Sequence, residues 1–265
     1  MTTRAPIRVE RDGALTVITL DRPDVLNAFD ETLTSALTAA ITDTGSDGSV
    51  RAVVITGAGR GFSAGQDLRD RAMQIDAGAE LHLGDELRRR YHPLIAAIRE
   101  MRKPVVAAVN GVVAGAGLGI AVACDVRVAS SSASFRAAWT RVGLVPDAGS
   151  AYFLPRIVGF GRATDMILTG DPVSADEALR IGLVAQVYPA VSWLQDAKTL
   201  ARTIAEKAPI AARLATEAVD LAWNSTLDAG LEFERKAFYL LFATEDKKEG
   251  VDAFVNKRKA NFKGK

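Results

Sequence analysis

The chain has 265 residues and a formal charge of +1, with 48% hydrophobic and 25% charged residues. This is the composition of a soluble globular protein, and the length fits one domain at its upper size or a core plus a smaller appendage. Near-neutral charge excludes the basic footprint of a nucleic-acid or membrane-surface binder. A single cysteine, Cys124, excludes an internal disulfide and a cysteine-based zinc cluster, and with only two histidines no metal site is expected. No apolar run approaches the ~20 residues of a membrane span. Residues 1–11 lack the basic-then-apolar pattern of a secretory leader, so a cytoplasmic location is expected.

Strands are predicted over residues 15–20, 52–56, 105–110 and 125–129, each short and rich in Val and Ile. Helices are predicted between them. Residues 31–44 follow Asp30, a helix-capping residue type, and residues 81–101 place apolar side chains on one face and Arg and Glu on the other. Alternation of this kind predicts an α/β core with largely parallel strands. Beyond about residue 188 the pattern changes to consecutive helices over 193–208, 210–223 and 227–243. The expected division is a core over 1–190 and a helical region over 191–265 that packs on the core or on other subunits. Residues 246–265 carry seven Lys or Arg, read either as a solvated face or as a phosphate-binding element.

The run Asn110-Gly111-Val112-Val113-Ala114-Gly115-Ala116-Gly117-Leu118-Gly119-Ile120 joins a strand to an apolar segment ending at Cys124. Small residues let backbone approach backbone, and let a ligand approach the N–H groups. If a helix begins at Leu118, its free N–H groups and positive dipole end face the turn before it, a place for a carbonyl oxygen that becomes an oxyanion. A glycine turn of this type also serves plain packing.

Several motifs then converge. Asp21-Arg22-Pro23-Asp24-Val25-Leu26-Asn27-Ala28-Phe29 is followed by Ile55-Thr56-Gly57-Ala58-Gly59-Arg60-Gly61-Phe62-Ser63-Ala64-Gly65-Gln66-Asp67-Leu68. The glycine run and Cys124-Asp125 come next, then Gly143-Leu144-Val145-Pro146-Asp147-Ala148-Gly149 and Ala253-Phe254-Val255-Asn256-Lys257-Arg258-Lys259-Ala260-Asn261-Phe262. In this order and at this spacing the chain resembles the enoyl-CoA hydratase/isomerase (crotonase) superfamily over essentially its whole length.

The resemblance implies an α/β fold, a crotonase-type spiral of ββα units with a C-terminal helical trimerisation region, in a homotrimer or dimer of trimers. It implies an acyl-CoA thioester as substrate, with coenzyme A entering as part of that substrate and no covalently bound cofactor. The shared chemistry is stabilisation of a thioester enolate by two backbone N–H groups, here matching Gln66 and Ala116, at about 3 kcal/mol for each donor. Asp24, Val25, Leu26, Ala28, Ala64 and Asp67 fall in the segments that line coenzyme A. Phe254 and Lys257 match residues that reach it, often from a neighbouring subunit.

The resemblance also exposes two departures. Hydratases of the family hold water between two glutamates, and those positions are Gly119 and Trp139 here. Neither exchanges a proton, and hydration needs a positioned base and a positioned acid. Asp147 remains. It reads as an N-cap of a helix running through Val158, or as a single base beside the acyl chain. The surrounding Leu144–Gly149 pattern resembles the branch of ring-epoxide isomerases of phenylacetate breakdown and related enoyl-CoA isomerases, for which one carboxylate suffices. A second reading is dehalogenation, because His92, Trp139 and Asp147 match the catalytic trio of 4-chlorobenzoyl-CoA dehalogenases. There the Asp is the nucleophile, the Trp N–H steadies it and the His activates water. A third is a coenzyme A-binding protein without catalysis. Residues 69–84 are expected to cover the acyl pocket.

Overall fold

The computed structural model describes residues 4–69 and 83–265. Strands β1 (Ile7–Asp12) and β2 (Leu15–Leu20) form an antiparallel hairpin. β2 then pairs in parallel with β3 (Ala52–Gly57), β3 with β5 (Val105–Val109), β5 with β7 (Val126–Ser130) and β7 with β10 (Gln186–Tyr188). A second sheet takes β4 (Gly61–Ser63), β6 (Val112–Ala114) and β8 (Ser134–Arg136) in parallel, with β9 (Pro172–Ser174) antiparallel at its edge. Each circuit therefore lays one strand in the large sheet, turns a corner and lays the next in the small sheet. This is the spiral of ββα units.

The large sheet is covered on both faces, which is why its strands are continuous apolar runs rather than alternating ones. On one face Ile18, Val53, Ile55 and Val105 pack against Leu33, Leu37, Leu94, Ile98 and Leu118. On the other, Leu15, Val17, Val54, Val106 and Val128 meet Ala197, Ala201 and Ala205, a small-residue stripe at helical spacing. Burying each Val, Ile or Leu contributes roughly 1.5–3 kcal/mol. The helix Trp193–Ala205 thus closes the rear of the sheet, while Leu227–Phe242 and Glu245–Val255 leave Leu227, Phe238, Tyr239, Phe242 and Phe254 more than half exposed. Arg99 ties this helical region to the core. Its guanidinium donates to Asp220 on the helix Pro209–Asn224, to Asp125 at 3.2 Å and to the Ala123 carbonyl at 2.9 Å.

Corners of successive circuits are stitched by Asn110. Its Nδ2 donates to the Gly59 and Gly61 carbonyls at 2.9 and 3.1 Å, and its Oδ1 accepts from Gly57 N at 3.2 Å. A β-carbon on Gly111 would lie 2.2 Å from the Arg60 carbonyl oxygen, so only glycine lets the two corners touch. Asp30 caps the helix Glu31–Ser46 through Oδ1 and Leu33 N at 2.8 Å, an interaction worth about 1 kcal/mol. Among the described residues no helix is long and apolar enough to cross a membrane.

Candidate active site

Two backbone segments meet where the sequence placed the anion site. The helix after the glycine turn starts at Ala116, two residues before Leu118, because Gly115 takes φ +48° and ends the strand abruptly. Ala116 is thus the first helical residue, and its N–H has no carbonyl four residues back. Gly65, at φ +92°, packs against it. A β-carbon there would lie 2.9 Å from the Ala114 oxygen and 3.3 Å from Ala116 N. Around Gln66, Phe29 N donates to the Gly65 carbonyl at 2.7 Å and Asp67 N to the Phe29 carbonyl at 3.0 Å. That bridge leaves the Gln66 N–H out of its ladder. Two donors with no backbone partner among the described residues, on touching segments and one at the positive end of a helix, suit developing negative charge on oxygen.

The carboxylate is Asp147. Its Oδ1 accepts a hydrogen bond from Trp139 Nε1 at 2.8 Å. Trp139 is 3% exposed, and its Nε1 sits 4.0 Å from where a β-carbon on Gly115 would be. The Trp139–Asp147 pair therefore lies beside the turn that presents Ala116. Burial pushes the Asp147 carboxyl above the usual carboxylate range, and the Trp139 N–H holds it partly down. Asp147 is not the helix cap. The helix runs Ser150–Val158 with Gly149 at its cap position and no side chain capping it. Asp147 contributes only its backbone carbonyl, which accepts from Ser150 N at 2.8 Å.

The turn that follows is strained and tightly held. Ala148 adopts φ +47°, which costs a residue with a β-carbon about 1 kcal/mol or more. It is 1% exposed and packs on Gly119. A β-carbon on Gly119 would stand 2.7 Å from the Ala148 oxygen, 2.7 Å from its Cβ and 2.8 Å from Ser150 Oγ. The turn that carries Asp147 thus packs directly on Gly119.

The family model described as enoyl-CoA hydratase/isomerase matches residues 10–265. The chain belongs to the enoyl-CoA hydratase/isomerase family. It is 38% identical over 253 residues to the 1,2-epoxyphenylacetyl-CoA isomerase of Escherichia coli, covering 96% of each chain. It is 37% identical over 254 residues to the short-chain-enoyl-CoA hydratase of Clostridium acetobutylicum, covering 95% of each. The crystal structure of an enoyl-CoA hydratase from Bacillus anthracis superposes with a TM-score of 0.91 at 34% identity, covering 98% of this chain and 100% of that one.

The other residues expected at the site from the resemblance are distributed as follows. Ala28 is buried and Val25, Leu26 and Ala64 are half-buried, while Asp24 is exposed. Ala64 N donates to the Leu26 carbonyl at 2.9 Å, so the two segments run side by side. Asp67 is engaged by Arg22 Nη2 at 3.1 Å. Phe254 and Lys257 are exposed near the end of the last helix. His92 is exposed at the first turn of His92–Glu100. Its neighbour Tyr91 turns inward instead, because Tyr91, Leu94 and Ile98 form the buried face. Tyr91 closes a π-helical turn, Leu87–Tyr91, and its hydroxyl donates to Gln66 Oε1. Sequence reasoning named no role for Tyr91 or for Ser63, although the apolar spacing of 91, 94 and 98 carried the signal for the first. The expected pocket cover over residues 69–84 lies, apart from its ends, outside the described residues.

Proposed function

We propose that this family member moves a double bond within an enoyl-CoA thioester, with Asp147 as the single proton carrier. The ionised carboxylate removes a proton from C2 of a 3-enoyl thioester. The electron pair flows onto the thioester oxygen, where the Gln66 and Ala116 N–H groups receive it. Asp147 then returns the proton to C4, the double bond comes to lie between C2 and C3, and the carboxylate regains its charge. No second acid is required.

One observation carries this reading. A β-carbon at residue 119 would meet the turn that follows Asp147, which supports a single-carboxylate site over a water held between two carboxylates. Incubation with a 3-enoyl-CoA is expected to give conjugation of the double bond, read as rising ultraviolet absorbance. Brisk hydration of crotonyl-CoA without that conversion would overturn the reading.

The Trp139–Asp147 bond also favours a second reading, dehalogenation, in which Asp147 attacks an aryl carbon and the Trp N–H steadies the carboxylate. Exposed His92, its water-activating residue, weighs against it. Chloride release from a chlorobenzoyl-CoA would decide for it. We propose a trimer or pair of trimers, supported by the exposed apolar side chains of Leu227–Phe242 and by Phe254. Sedimentation at the mass of one chain would refute that assembly.

A further inference from the structure

Ser63 is fully buried and makes contacts to three segments of the site. Its Oγ donates to the Asn27 carbonyl at 2.8 Å, in the loop matching the coenzyme A-lining segment. The same oxygen accepts from Gly65 N at 3.1 Å, one residue before the first oxyanion donor. Ser63 also abuts Gly117, one residue after the second donor. A β-carbon on Gly117 would lie 2.7 Å from Ser63 Cβ and 2.8 Å from both its Oγ and its carbonyl oxygen.

A short hydroxyl is well suited to this place. It accepts and donates at once, so it can bind an N–H and a carbonyl that face each other across one atom. A longer side chain would push Gly117 away, and an apolar one would leave the buried Gly65 N–H and Asn27 carbonyl unpaired. Both donors hang from backbone that touches this one side chain. An oxyanion hole works only when its donors stand at fixed positions before the reaction, and a shift of about 1 Å can cost on the order of 10²-fold in rate.

We infer that Ser63 is a positioning residue that sets the spacing between the Gln66 and Ala116 N–H groups. The inference rests on those two groups being the oxyanion donors, and not on which reaction Asp147 performs.

The test reads the donors directly. A push–pull chromophore, 4-(dimethylamino)cinnamoyl-CoA, absorbs further to the red when hydrogen bonds polarise its thioester carbonyl. Wild-type protein is expected to shift the bound chromophore strongly. Ser63→Ala is expected to lose most of that shift and to lower kcat about tenfold, with KM changed less than threefold. KM is spared because Asn27 keeps its side-chain bonds to Arg22 N, Ala58 O and Gly61 O. Ser63→Cys, similar in shape with a weak donor and acceptor, is expected to fall between the two. An unchanged red shift in Ser63→Ala overturns the inference, whether or not kcat falls, since packing damage alone leaves a correctly spaced pair. A wild-type protein that gives no shift would instead sink the donor assignment itself. Failure to isomerise a 3-enoyl-CoA with the shift intact would sink only the reaction proposed for Asp147.

Discussion

Asp147→Asn is expected to lower turnover of a 3-enoyl-CoA by about 10³-fold, the range lost when a positioned acid–base group is removed. Affinity for coenzyme A thioesters should stay within about threefold. The amide keeps an oxygen that can accept from Trp139 Nε1, so the contact that seats the side chain survives. Stability should not fall. Burial raises the folded-state pKa above the unfolded value. As pH rises through the unfolded value, the unfolded chain ionises first and gains. The folded state therefore loses stability across that window and carries the full loss above its own pKa. The variant has no such group, so at pH 7 it should melt at the same temperature or higher. An inactive variant that also fails to fold would return Asp147 to a purely structural role.

The same pKa sets the pH profile. As a base, Asp147 must be ionised, so kcat/KM should fall as pH drops through a limb above the ordinary carboxylate range of about 3.9–4.3. Trp139→Phe removes the hydrogen bond that favours the charged form. Its limb should move to higher pH, and a limb moving lower would show that Trp139 does not stabilise the carboxylate.

Gly119→Glu is expected to destabilise the fold by about 3 kcal/mol and to give no hydratase activity. Restoring one glutamate looks from sequence like half of a conversion. In the structure its first carbon already collides with the Ala148 backbone, and insertion into a packed core costs 1–3 kcal/mol or more. The side chain can enter only if the Ala148–Gly149 turn moves, which takes Asp147 with it, so isomerisation should fall more than 10²-fold. Denaturant unfolding and the two activity assays measure these outcomes separately. A well-folded Gly119→Glu variant that hydrates crotonyl-CoA would show that the seat is open after all.

The buried strands were legible because a parallel sheet covered on both faces is written as runs of Val and Ile, and 15–20, 52–56 and 105–110 were placed to within a residue. β4, β6, β8, β9 and β10 were missed because each has three residues, too few to show any period. β1 was missed for another reason. Its residues Arg8, Val9 and Glu10 face solvent, so it has no apolar alternation to read. The glycine-flanked motifs that carry Gln66, Ala116 and Asp147 were legible, and the structure brings these segments together. What could not be read was the direction of side chains. The apolar spacing shows that Tyr91 faces inward with Leu94 and Ile98, but not that its hydroxyl reaches Gln66 Oε1. The junction at Ser63 depends on three segments far apart in the chain.

Cys124 closes the apolar helix that follows the Gly115 turn. It is the only thiol of the chain, it is 2% exposed, and burial followed by the charge of Asp125 pushes it up to about 12. The thiolate is the attacking species, so alkylating reagents are expected to label first the molecules whose core has opened. The chain thus carries its own built-in reporter of global unfolding, one modification per molecule with no engineering.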